Sequence, residues 1–152
     1  MAKFSFNGMD ELSASFEQLS QLSDEDKMGI IMPAAKLLVQ RQQEKIKQLF
    51  TQRTGDLADS LTIRQESGED GAYAHIYLKG KHRGSSTGKR KGKRRSNGHY
   101  SGTNAEVGYI LEYGSPRIAA RHWMETANEE AEDEVVAAEQ AAWDNLITQK
   151  GL

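Results

Sequence analysis

The sequence predicts an α+β fold: N-terminal helices, a small antiparallel β-sheet, and a long C-terminal helix packed on that sheet, with a flexible basic loop. Three observations carry this reading. Apolar residues recur at steps of three and four before residue 53 and again after residue 119. Between them lie short runs rich in β-branched and aromatic residues. One stretch of that middle region, Lys79 to His99, contains no apolar residue at all.

The elements follow in order. Met9, Leu12, Phe16, Leu19 and Leu22 line one face of a helix predicted over about 8–22. Ser23 and Asp26 form a Ser-x-x-Asp capping box, and Asp24, Glu25 and Asp26 suit the positive end of a helix dipole. A second, longer helix is therefore expected over 24–53, with Met28, Ile31, Ala35, Leu38, Val39, Ile46, Leu49 and Phe50 on one side. Pro33 should kink it or split it in two, and Gly55 offers a C-terminal stop.

LTIR (61–64) and AYAHIYLK (72–79), separated by SGEDG, read as a β-hairpin. A third run, EVGYILEY (106–113), is strand-like at its start and ends as a helical turn before Gly114, Ser115 and Pro116 break it. The last helix is predicted from about Ala119 to Thr148, an interval without Gly or Pro. Trp123, Ala127, Ala131, Val135, Ala138, Ala142 and Leu146 keep its period, and Trp123 is expected to anchor it in the core.

All of this makes a single domain over 1–152, with a low-complexity insert at 80–103. The chain is near neutral, 20 basic against 22 acidic residues, but the charge is divided. Lys79, Lys81, Arg83, Lys89, Arg90, Lys91, Lys93, Arg94 and Arg95 fall within 17 positions that hold no acid. The remaining 135 residues carry a net −11. Such a glycine-punctuated cationic segment buries too little surface to offset its ordering entropy and is expected to be a disordered arm. It suits polyanion backbones or acidic protein surfaces.

The last helix carries the opposite charge. Glu125, Glu129, Glu130, Glu132, Asp133, Glu134, Glu139 and Asp144 lie between Met124 and Gln149 with no base among them. Either that face is simply solvated or an electropositive neighbour covers it.

Several function classes are excluded or unsupported. With no cysteine, there is no disulfide, thiolate metal site or cysteine nucleophile. No run of about 18 apolar residues suggests a membrane span. The opening MAKFSFNGMDELSASF lacks the basic and apolar regions of a signal peptide, so a cytoplasmic start is expected.

GSSTGKRK (84–91) departs from a phosphate-binding loop in its glycine spacing and in having Arg90 after Lys89. His75, His82, His99 and His122 form no His-Glu-x-x-His pair; His122 and Glu125 share a helix face but make only two ligands. No Gly-x-Ser-x-Gly elbow is present. The chain is expected to be no enzyme and to need neither cofactor nor metal.

The order of phrases adds a family. An opening F-x-G-M-D-E-L (Phe6 to Leu12) leads into the long helix, followed by RTGDLADSL (Arg53 to Leu61). Strands come next, then VGYILEYGSPRIAARHWM (107–124) and the acidic terminal helix. This order resembles the tail-component family typified by gene product ten of phage Hong Kong 97, the small neck and tail-completion proteins of long-tailed phages and prophages.

The match covers most of the chain outside the arm. The chain departs from the family at Arg121-His122-Trp123, where Arg-Pro-Phe is usual, and at Glu125-Thr126, where Arg-Pro is usual. The resemblance implies a structural virion protein, made in the host cytoplasm and assembled as a ring at the tail's head-proximal end. That ring, a hexamer by resemblance, would meet a head–tail connector or stopper and the tail tube protein.

Within it, Glu112, Arg117, Arg121, His122, Glu129 and Glu130 are expected at subunit interfaces. The basic arm is expected to contact a neighbouring subunit or the DNA passing through. The rival expectation is a nucleic-acid-binding protein that holds DNA non-specifically through the arm.

Overall fold

The computed structural model describes residues 17, 22–50, 56–68, 71–80 and 103–151. The helix expected at 8–22 lies outside these residues, except for Glu17, which is helical, and Leu22, which is not. Positions 81–102 of the insert also lie outside them.

Helix α1 runs from Asp24 to Leu49 and begins on the expected capping box. The Ser23 hydroxyl accepts the Asp26 N–H at 3.1 Å, while the Asp26 carboxylate accepts the Ser23 N–H at 3.2 Å. Two of the four orphan donors at this end are thereby satisfied. Pro33 sits inside one continuous helix rather than dividing it. The helix stops at the extended Phe50, four residues short of the expected end, and Gly55 lies outside the described residues.

A single turn, α2 (Asp56–Asp59), leads into strand β1 (Leu61–Gly68), which pairs antiparallel with β2 (Gly71–Leu78). Register runs from Leu61 opposite Leu78 to Gly68 opposite Gly71. Side chains alternate across this ribbon. Leu61, Ile76 and Leu78 turn toward the core, whereas Arg64, Glu66, Tyr73, His75 and Tyr77 are exposed. Among the described residues the sheet has these two strands.

The third strand-like run is a helix, α3 (Asn104–Tyr113). The sequence contains the reason. Thr103 and Glu106 form a second capping box, with the Thr103 N–H bonded to the Glu106 carboxylate at 2.6 Å. Gly114, with φ at 82°, closes the other end. Two helix signals three residues apart outweigh an apolar run too short to reveal its period.

Helix α4 (Trp123–Lys150) starts four residues later than expected. Backbone bonds from Arg121 N–H to Leu111 carbonyl (2.8 Å) and His122 N–H to Glu112 carbonyl (3.3 Å) hold the intervening turn against α3.

Trp123 joins α4 to the sheet: it lies with Leu61 in one buried cluster, against which Leu78 and Ile76 pack, together with Ile46, Leu57 and Ala58. It is 1% exposed, as expected of an anchor, and its indole N–H donates to the Gly108 carbonyl at 3.0 Å. Beyond that point α4 runs antiparallel along α1, from Lys45–Glu130 and Arg41–Glu134 to Asp26–Lys150. Buried alanines, Ala34 and Ala35 on α1 and Ala127 and Ala131 on α4, let the two helices approach closely.

Candidate interaction surface

Part of the acidic run on α4, Glu130 and Glu134, has its electropositive neighbour within the chain. Glu134 accepts from Arg41 at 2.6 Å and Glu130 from Lys45 at 2.7 Å, while Arg41 also holds Glu44 at 3.0 Å. Gln40 and Arg41 lower the Glu44 carboxyl below its ordinary value, and Glu134 and Glu44 raise Arg41 above its own. At the other end, Lys150 and then Ser23 lower the Asp26 carboxyl.

A cleft of about 180 Å³ between the helices is walled by these same ion-paired side chains. Its charges already satisfy one another. Glu130, expected at a subunit interface, is exposed but committed to Lys45. Glu129 is exposed and makes no such pair among the described residues, as do Glu132, Asp133 and Glu139.

Glu112 is a correction to the expected interface set. It is 2% exposed and faces inward, with Oε2 accepting the Met124 N–H at 2.7 Å and Oε1 the Glu125 N–H at 3.1 Å. These are orphan donors at the start of α4, so Glu112 does the work of an N-cap from another helix. The residue in the N-cap position, His122, makes no side-chain cap bond and sits in the left-handed region at φ 47°. Its Nδ1 instead lies 3.1 Å from the Glu125 carboxylate, in solvent.

Glu112, His122 and Glu125 thus bring three ligand-type atoms within 4.8 Å of one another. Because the Glu112 oxygens already serve two helix N–H groups beside a positive dipole end, capping accounts for the cluster.

Gly114 is fixed by geometry: a Cβ there would stand 2.9 Å from the Ala120 N and 3.0 Å from the Ile118 carbonyl oxygen. The turn it allows presents Arg117 and Arg121 to solvent, neither with a carboxylate partner among the described residues. Beside them stand three large apolar groups that sequence reasoning missed: Tyr109 (63% exposed), Tyr113 (60%) and Ile118 (46%). The tyrosine rings pack on each other with centroids 4.7 Å apart. Their i,i+4 spacing was the available signal, and it was hidden because 106–113 read as strand-like at its start, with only its end as a helical turn.

The base of the basic arm is pinned. The Asn104 N–H donates to the Gly80 carbonyl at 3.0 Å and the Asn104 side-chain amide to the Lys79 carbonyl at 2.8 Å, while the Lys79 N–H reaches Ser60 at 2.9 Å. The insert therefore leaves and re-enters the body at one point. Of its nine cationic residues, Lys79 is described and exposed; Lys81, Arg83, Lys89, Arg90, Lys91, Lys93, Arg94 and Arg95 lie outside the described residues. Among the described residues no helix is long and apolar enough to cross a membrane.

No family model, curated protein or solved structure matches this chain.

Proposed function

We propose that this chain is a structural subunit of a long-tailed phage or prophage neck. In this reading it is one protomer of a ring at the head-proximal end of the tail, which completes the tail and joins it to the head. One observation carries the reading. The phrase VGYILEYGSPRIAARHWM, which resembles tail components, folds as a single unit of α3, turn and α4. Its inward residues, Gly108, Glu112 and Trp123, bind that unit together, and its outward tyrosines and arginines remain uncovered. Uncovered aromatic and Arg groups of this kind belong to protein–protein contacts.

The ring, six copies by resemblance, meets a connector or stopper on its head side and the tube protein on the other. Its place is the virion, after assembly in the host cytoplasm, and its work involves no catalytic step, cofactor or metal.

A second reading, non-specific holding of DNA, is favoured by the anchored ends of the insert, Lys79–Gly80 and Asn104, between which the sequence places eight cationic residues. Size-exclusion chromatography with light scattering, followed by negative-stain imaging, separates the two. Rings in the absence of DNA support the first. Monomers that retain DNA at low salt and release it at high salt support the second.

A further inference from the structure

We infer that the knob formed by the end of α3 and the turn after it docks on the outer face of α4 of a second copy. The inference rests on the ring reading above and names the surfaces that would close the ring. The knob offers Tyr109, Tyr113 and Ile118 as its apolar centre, with Arg117 and Arg121 beside it. Tyrosine and arginine are the residues that dominate binding energy at protein interfaces, because each combines a large contact area with a directed polar group. Tyr109 and Tyr113 form one exposed aromatic pair, and Ile118 is exposed in the turn that follows.

The complementary face is on α4. Glu129, Glu132, Asp133 and Glu139 lie at helical steps around Val136, which is 58% exposed. Like charges at i,i+3 and i,i+4 destabilise a helix, and none of these four has a cationic partner among the described residues. Among the α1 cations, Arg41 and Lys45 serve Glu134 and Glu130 on another side of α4, and Lys27 serves Asp24. Lys150 serves Asp26.

The knob of the same chain does not reach this face. It sits at the start of α4, and at about 1.5 Å per residue Val136 is roughly 20 Å further along the helix from Trp123. An apolar centre beside two unpaired arginines on one surface, and an apolar valine among four unpaired acids on another, are complementary in charge and in kind. Because the two surfaces differ, the contact is head-to-tail and propagates, closing into a ring where the rotation allows.

The test is a charge swap in the full-length chain. One variant carries Arg117→Glu and Arg121→Glu; the other carries Glu132→Lys, Asp133→Lys and Glu139→Lys. Circular dichroism and Trp fluorescence establish that each is folded, and light scattering reads assembly size across concentration.

Each variant alone is expected to self-associate about tenfold more weakly or worse, since like charges then face each other. An equal mixture is expected to restore assemblies larger than a dimer, because each mutant surface meets its complement on the other variant. Tyr109→Ala with Tyr113→Ala is expected to weaken assembly without a swap partner.

Wild-type rings that form equally well from either variant alone would overturn the inference and leave the ring reading standing. Folded variants that stay apart when mixed would also overturn it. A wild-type chain monomeric at every concentration would overturn the ring reading and the inference together.

Discussion

Glu112 caps α4 from a neighbouring helix, accepting the Met124 N–H at 2.7 Å and, through its second oxygen, the Glu125 N–H at 3.1 Å. A carboxylate buried to 2% exposure survives there because the helix start supplies both donors and a favourable dipole. Removing it leaves two N–H groups at the start of α4 without their protein acceptor. Glu112→Ala is expected to lower stability by about 1.5–3 kcal/mol, the usual worth of bonds to a charged group. Glu112→Gln, which keeps one acceptor oxygen, should lose less. Urea unfolding followed by Trp fluorescence measures both.

Gly108 lets α3 pack close against Leu78 of β2. A Cβ there would collide with the Leu78 side chain and stand 3.6 Å from the Trp123 ring. Gly108→Ala is therefore expected to cost about 1–3 kcal/mol through overpacking. Pairing it with Leu78→Ala should give a double mutant less destabilised than the sum of the two single changes, because the clash has been removed. Additive losses would show that Leu78 moves aside freely.

Asp26 and Lys150 join the far ends of α1 and α4 at 2.7 Å. Lys150, and then Ser23, depress the Asp26 carboxyl in the folded chain. A depressed acid stabilises the fold above its unfolded pKa, and that stabilisation is lost as pH falls through the folded value. The expected window is thus the acid side of the ordinary carboxylate range, with no change near neutrality. Lys150→Ala is expected to move the Asp26 titration upward, read by NMR of its carboxyl carbon. An unmoved titration would show that Ser23 alone sets it.

The pinned base of the insert predicts that the body folds without the arm. Replacing residues 81–102 by two glycines should not lower the melting temperature, since the Asn104–Gly80 and Asn104–Lys79 bonds already hold the ends together. A shorter connection costs less closure entropy, by about 0.6 kcal/mol per halving of length, so the change is expected to stabilise by about 2 kcal/mol at most. Any affinity for heparin or DNA should fall sharply with the eight cationic charges removed. A large loss of stability would mean that the insert packs on the body.

Several local signals were legible in the sequence. The Ser23–Asp26 box, the hairpin and the anchor Trp123 are all where sequence reasoning puts them. The start of the run 106–113 was misread because five apolar residues in eight fit either period. The Thr103–Glu106 box, which decides the matter, starts three residues before the run and only ends on its first residue.

The sequence by itself determined the charge division, the α+β class and the long helices, because each follows from residues near one another along the chain. Only the tertiary structure decided which charges are spent. Glu112, Glu130 and Glu134 resemble their acidic neighbours in sequence, yet folding gives each an internal partner. Glu129, Glu132, Asp133 and Glu139 are left exposed by the rotation of α4 against α1. Pairing depends on which side of a helix meets another helix across some 85–93 residues of chain, and no local pattern encodes that.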